Sequence, residues 1–121
     1  MDFLKLTSEN FTRDVLLSEK LVIVLFTAEW CGVTHILIPI LQFLYSNYSR
    51  KIRIYQVDIN SSPEITEQYG VHEIPTILFL YKGKIMDHLT GIFSQIDMEH
   101  KLDNILQKRL KKGMYKSNTN D

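Results

Sequence analysis

The sequence predicts an α/β domain, a central mixed β-sheet of about four or five strands flanked by about four helices. Three observations carry this. Two continuous apolar runs of strand length, Leu21–Phe26 and Thr76–Tyr81, read as strands, and the first is rich in β-branched residues, as strands buried on both faces are. Segments of helical periodicity follow the first run and close the chain. Lys82-Gly83 follows the second run directly and is a tight-turn signal for an antiparallel hairpin.

The elements follow in order. Phe3-Leu4-Lys5-Leu6 is a short candidate edge strand. Thr7 or Ser8 offers an N-cap for a helix through about Ser18, with Phe11, Val15 and Leu16 as its apolar stripe. The central strand spans 21–27. From Gly32 to about Tyr48, Leu37, Ile40, Leu41, Leu44, Tyr45 and Tyr48 recur at helical spacing, while His35, Gln42, Ser46 and Ser49 mark the wetter face. Pro39 lies inside that pattern and removes one backbone donor, so a kink is expected there.

Ile52–Val57 reads as a second strand. Ser62-Pro63 reads as a cap followed by a proline at the first helical position, and Gly70 suits the end of that short helix. After strand Thr76–Tyr81 the hairpin returns along Lys84–His88. Ser94-Gln95-Ile96-Asp97 resembles a capping box, weakened because Asp reaches back less well than Glu. The helix it opens carries Met98, Leu102, Ile105 and Leu106 on one face. Lys108, Arg109, Lys111 and Lys112 crowd its end, where the helix dipole favours cations. Residues 113–121 are polar and expected to be disordered, leaving one domain over 1–112.

Composition excludes several classes. The 121 residues carry 14 basic and 14 acidic side chains, so no global charge argues for nucleic acid or a membrane surface. No apolar run approaches the roughly 18 residues of a membrane span, and the start of the chain lacks the pattern of a signal peptide. A cytoplasmic setting is the expectation. The four histidines show no ligand spacing, so neither a metal nor another cofactor is expected. One cysteine, Cys31, excludes an internal disulfide framework and fits a reducing compartment.

Cys31 lies where the central strand hands over to a helix N-terminus. Unpaired N–H groups and the positive end of the helix dipole favour an anion there, and a thiolate is such an anion. If the protein performs thiol chemistry, Cys31 performs it.

Ala28-Glu29-Trp30-Cys31-Gly32, Pro39 in the following helix, Val57-Asp58-Ile59-Asn60, Tyr69-Gly70-Val71, Ile74-Pro75-Thr76, Lys82-Gly83-Lys84 and Gly91 arrive in order and at matching spacing. Over roughly residues 2–110 the chain resembles the thioredoxin family. The resemblance implies the thioredoxin fold and a shallow apolar groove around Cys31, formed by Trp30, Gly32, Ile59, Ile74, a cis-Pro75 and Gly91. It also implies that the Ile74 backbone pairs with a substrate peptide.

The departures limit what carries over. Where the family has its second cysteine stands Thr34, where it has a buried aspartate stands Leu25, and where it has a lysine near that aspartate stands Gln56. The second thiol resolves the mixed disulfide made by the first, so the dithiol reaction is not open to this chain alone. Cys31 is the expected nucleophile, with the Thr34 hydroxyl and N–H expected to hydrogen-bond its thiolate. His35, one turn on, is read as facing solvent.

The resemblance thus implies thiol–disulfide exchange by a protein-disulfide-oxidoreductase-like monomer that lacks the resolving cysteine and contributes to redox homeostasis. Its partners would be protein disulfides or thiols, a reductase or small thiol among them. The alternative is a binding module that keeps the fold and groove for peptides or proteins and has lost the chemistry.

Overall fold

The computed structural model describes residues 3–111, with only the backbone for 109–111. Strand β1 (Leu21–Thr27) leads through a turn into helix α1 (Thr34–Tyr48), and β2 (Ile52–Asp58) into α2 (Pro63–Gln68). Strands β3 (Thr76–Tyr81) and β4 (Lys84–Thr90) form the hairpin before α3 (Gln95–Lys111). The four-stranded sheet has the order β2-β1-β3-β4. β1 is parallel to β2 and antiparallel to β3, and β3 is antiparallel to β4.

β1 is buried along its whole length because both faces of the sheet are covered. Leu21, Ile23 and Leu25 turn one way, toward Leu37, Leu41 and Leu44 of α1 and Met98, Leu102 and Ile105 of α3. Val22, Val24 and Phe26 turn the other way and share a cluster with Leu6, Phe11, Val15 and Ile65. That alternation is the strand period of two meeting a cover on each side.

Several expectations need correction. Phe3–Leu6 makes no strand, only an isolated bridge from Lys5 to Gln56. The Phe3 N–H binds the Gln56 side chain instead of a ladder carbonyl, and Leu4 stands in solvent. The helix expected from Thr7 to Ser18 reduces to turns at 8–10 and one π-helical stretch, Thr12–Leu16. Thr7 still organises its start: its carbonyl accepts the Phe11 N–H and its hydroxyl the Glu9 N–H. Phe11 and Val15 are buried while Leu16 is exposed, because so short an element has only one inward face.

Tyr45 is likewise exposed on α1, whose buried stripe is narrower than expected and centred on Leu37, Leu41 and Leu44. α1 continues through Pro39, whose ring lies on the exposed side. Ser62 makes no side-chain cap to α2; its buried hydroxyl donates to the Leu6 carbonyl and ties the N-terminal segment down. The return strand runs two residues further than His88, to Thr90.

The Lys82-Gly83 turn has both residues at positive φ, 51° and 86°, the geometry a two-residue hairpin loop demands. The capping box at α3 closes both ways. The Asp97 N–H donates to Ser94 Oγ at 3.1 Å, and the Ser94 N–H donates to Asp97 Oδ2 at 3.2 Å. Lys108 is exposed at the end of α3; the Arg109 and Lys111 side chains, Lys112 and the 113–121 tail lie outside the described residues.

Candidate active site

The sheet register gathers the site at one end. Thr27, the last residue of β1, pairs with Asp58, the last of β2. On its other side the antiparallel register puts Phe26 against Thr76, so Pro75 follows at the next step beside Thr27. The Gly91 N–H donates to the Pro75 carbonyl at 3.0 Å, extending the row beyond β4. Asp58, Thr27, Pro75 and Gly91 thus line one edge of the molecule, although they come from four separate stretches of sequence.

Cys31 sits just beyond that edge. It is a free thiol and 8% exposed. Its N–H donates to the Ala28 carbonyl and its carbonyl accepts the Thr34 N–H, closing the turn that enters α1. Beside it Trp30 is 70% exposed, which puts a large apolar ring in solvent at the mouth of the site.

The expected groove residues divide. Ile59 is half-buried and its N–H donates to the Thr27 carbonyl at 3.0 Å, which fixes the loop after β2 against β1. Ile74 is half-buried, Pro75 is buried, and the bond between them is cis. Gly91 has φ of +89°, and a Cβ there would meet open space, so the backbone conformation rather than crowding calls for glycine. Gly32 is exposed, with nothing near the position of an added Cβ.

Thr34 is buried, and its hydroxyl pairs with the hydroxyl of Thr27. Either hydroxyl can donate in that pair. The Thr34 hydroxyl thus pairs with Thr27, and the Thr34 N–H donates to the Cys31 carbonyl. Leu25 packs wholly buried beneath α1. The Gln56 side chain accepts the Phe3 N–H at 2.8 Å and anchors the N-terminal segment.

In the sequence nothing marks Thr27 and Ile92 as site residues, and Asp58 reads there as a surface or loop carboxylate. Asp58 is half-buried, and its Oδ1 accepts the N–H groups of Asn60 and Ser61. Asp58 at the end of a strand, before Ile59-Asn60-Ser61, is an Asx-turn signal. Ile92, 70% exposed after Gly91, had no periodic neighbour to mark it. His35 is exposed, as expected. Among the described residues no cluster of three or more potential ligands is placed to hold a metal, and no helix is long and apolar enough to cross a membrane.

Comparison with known proteins agrees with this geometry. The family model described as Thioredoxin matches residues 2–104. The chain belongs to the thioredoxin family. It is 34% identical over 101 residues to a thioredoxin of Chlorobaculum thiosulfatiphilum, covering 84% of this chain and 94% of that one. It is also 34% identical to a thioredoxin of Acidithiobacillus ferridurans, covering 85% and 95%, and 31% identical to one of Buchnera aphidicola, covering 83% and 93%. The four-stranded mixed sheet with its flanking helices is the thioredoxin fold, and thiol–disulfide redox chemistry is the function of this family.

Proposed function

We propose that this thioredoxin-family protein performs monothiol exchange through Cys31 and so contributes to redox homeostasis in a reducing, cytoplasmic setting. The observation that carries the reading is a free cysteine at the joint of β1 and α1, with the Thr27–Pro75–Gly91 row beside it. The Cys31 thiolate attacks one sulfur of a partner disulfide, forms Cys31–S–S–partner and expels the other partner sulfur as a thiolate. With one cysteine in the chain, no internal thiol can resolve that bond, and an external thiol completes the cycle. Trp30, Gly32, Ile59, Ile74, Pro75 and Gly91 form the surface that receives the partner. Thr34 is a positioning residue that locks the first turn of α1 onto the end of β1.

Covalent trapping tests this. Reduced protein incubated with disulfide-containing partners should give complexes on non-reducing gels that dithiothreitol dissolves and that Cys31→Ser does not form. Absence of any such complex with the unaltered protein overturns the exchange reading. The exposed Trp30 and Ile92 favour a second reading, a non-covalent binding module. Its signature is full partner affinity in Cys31→Ser.

A further inference from the structure

From Gly32 through Ser49 the chain carries no Asp, Glu, Lys or Arg, although 23% of its residues are charged. That stretch contains the whole of α1, whose inner side packs on the sheet through Leu37, Leu41 and Leu44. Its outer side is apolar as well. Ile36 is 56% exposed and Phe43 40%, with exposed Pro39 and half-buried Ile40 between them. Spacings of four and three residues put Ile36, Ile40 and Phe43 on one side of the helix. The exposed Leu4 and Ile85, by contrast, each stand beside a lysine in the sequence, and single exposed apolar residues need no cover.

We propose that this face of α1 pairs with the same face of a second copy of the chain, the two helices running antiparallel about a twofold axis. Charge decides the occupant. When two copies meet through one shared patch, each charge near the axis faces its own like, so a face without charge is the one that self-pairing leaves unpenalised. The net charge of zero adds no long-range repulsion between copies. The ends of the helix supply attraction. A register that sets Ile36 of one copy against Phe43 of the other brings Glu29, in the turn before the helix, toward Arg50, in the turn after the other copy's helix. Both side chains are exposed, and the twofold axis repeats the contact. Antiparallel helices also set the positive end of one dipole beside the negative end of the other.

Size sets the strength of the pair. Two exposed turns of one helix per copy stay below the roughly 1,200 Å² of standard interfaces, so the association is weak, with a dissociation constant on the order of 100 µM. In the same register each Cys31 lies at the opposite end of the pair from its twin, beside the other copy's Tyr48. At about 1.5 Å per residue the two thiols are roughly 25 Å apart along the helices. The pairing is therefore non-covalent and leaves each exchange site open. It stands independently of the exchange reading and replaces the single copy expected from the sequence.

Sedimentation equilibrium of full-length Cys31→Ser protein, which cannot form a disulfide-linked pair, tests this over about 10 µM to 1 mM. The average mass should rise from 14.2 kDa toward twice that value. Ile36→Lys and Phe43→Lys, each checked by circular dichroism for a retained fold, should hold the protein at 14.2 kDa across the range. Leu4→Lys, at an apolar residue outside the face, should associate as the parent does. Arg50→Glu should weaken association about three- to fivefold, and adding Glu29→Arg should restore it. A parent mass that stays at 14.2 kDa throughout overturns the proposal, as does association unchanged in both lysine variants of α1. An unchanged constant in Arg50→Glu overturns the antiparallel pairing. Binding of the single-copy protein to phosphatidylcholine vesicles instead overturns the proposal in favour of a lipid surface.

Discussion

The pair Thr27–Thr34 shows how one residue change reorganises a site. A hydroxyl at position 34 is buried beside the last residue of β1 and finds its partner there. Thr27→Val removes that partner at nearly constant volume and leaves the Thr34 hydroxyl buried without it, at a cost of about 1–3 kcal/mol. Adding Thr34→Val should recover most of the loss, since an apolar pair of the same shape has nothing unsatisfied. Urea denaturation of the two single variants and the double variant measures this, and additive losses would show that the pair is not coupled. Thr34→Cys tests the missing chemistry directly. It places a second thiol in the same first turn of α1 and should convert stoichiometric mixed disulfides into catalytic turnover with dithiothreitol as reductant. That turnover should be slow, because Leu25 still offers no group to move a proton beneath the site. An unchanged, single-turnover reaction would argue against exchange through this turn.

Elements were legible where two signals coincided. β1 and β3 are long apolar runs with no competing reading, and Met98, Leu102, Ile105 and Leu106 of α3 are all buried as their spacing requires. Lys82-Gly83 and Ser94–Asp97 were legible because turn and cap chemistry is local. The N-terminal elements were not, since their fate depended on distant partners. Gln56 intercepts the Phe3 N–H, and Ser62 donates to Leu6 rather than capping α2. The site was legible as a set of motifs, but the Thr27–Thr34 pairing exists only once the first turn of α1 packs against the end of β1. Two element-level predictions follow from the local chemistry. Ser94→Ala opens the reciprocal cap of α3 and should destabilise by about 1 kcal/mol. Gly83→Ala should cost about as much, because a residue with a side chain is strained at a φ of 86° and its Cβ would run into Leu16. Gly70→Ala is the control, having positive φ but open space. If both glycine variants lose the same stability by thermal denaturation, the contact with Leu16 adds nothing.

At the scale of the whole molecule, the alkaline limit follows from where three tyrosines sit. The Tyr48 hydroxyl on α1 donates to Asp103 Oδ1 on α3 at 2.7 Å, joining the two helices on one face of the sheet. That hydrogen bond, with burial and the nearby carboxylates of Asp103 and Glu99, pushes its pKa from 10.0 up to about 12. Burial also raises Tyr69 and, foremost among its causes, Tyr55, both on the opposite face. In each case the folded protein holds the phenolic proton more tightly than the unfolded chain does. Stability from these groups is therefore complete below about pH 10 and declines as pH rises, for Tyr48 until about pH 12. The desolvated Lys20, whose pKa is lowered, acts with the opposite sign over the same range. Its influence cancels when a tyrosine variant is compared with the parent. Tyr48→Phe should cost about 1 kcal/mol near neutral pH through the lost hydrogen bond. Between pH 9 and pH 11 it should then lose less further stability than the unaltered protein does. Phenolate absorbance provides an independent reading, because one of the six tyrosines should cease to titrate late. A variant whose stability falls as steeply as the parent's would show that the Tyr48–Asp103 bond does not couple the two helices to pH.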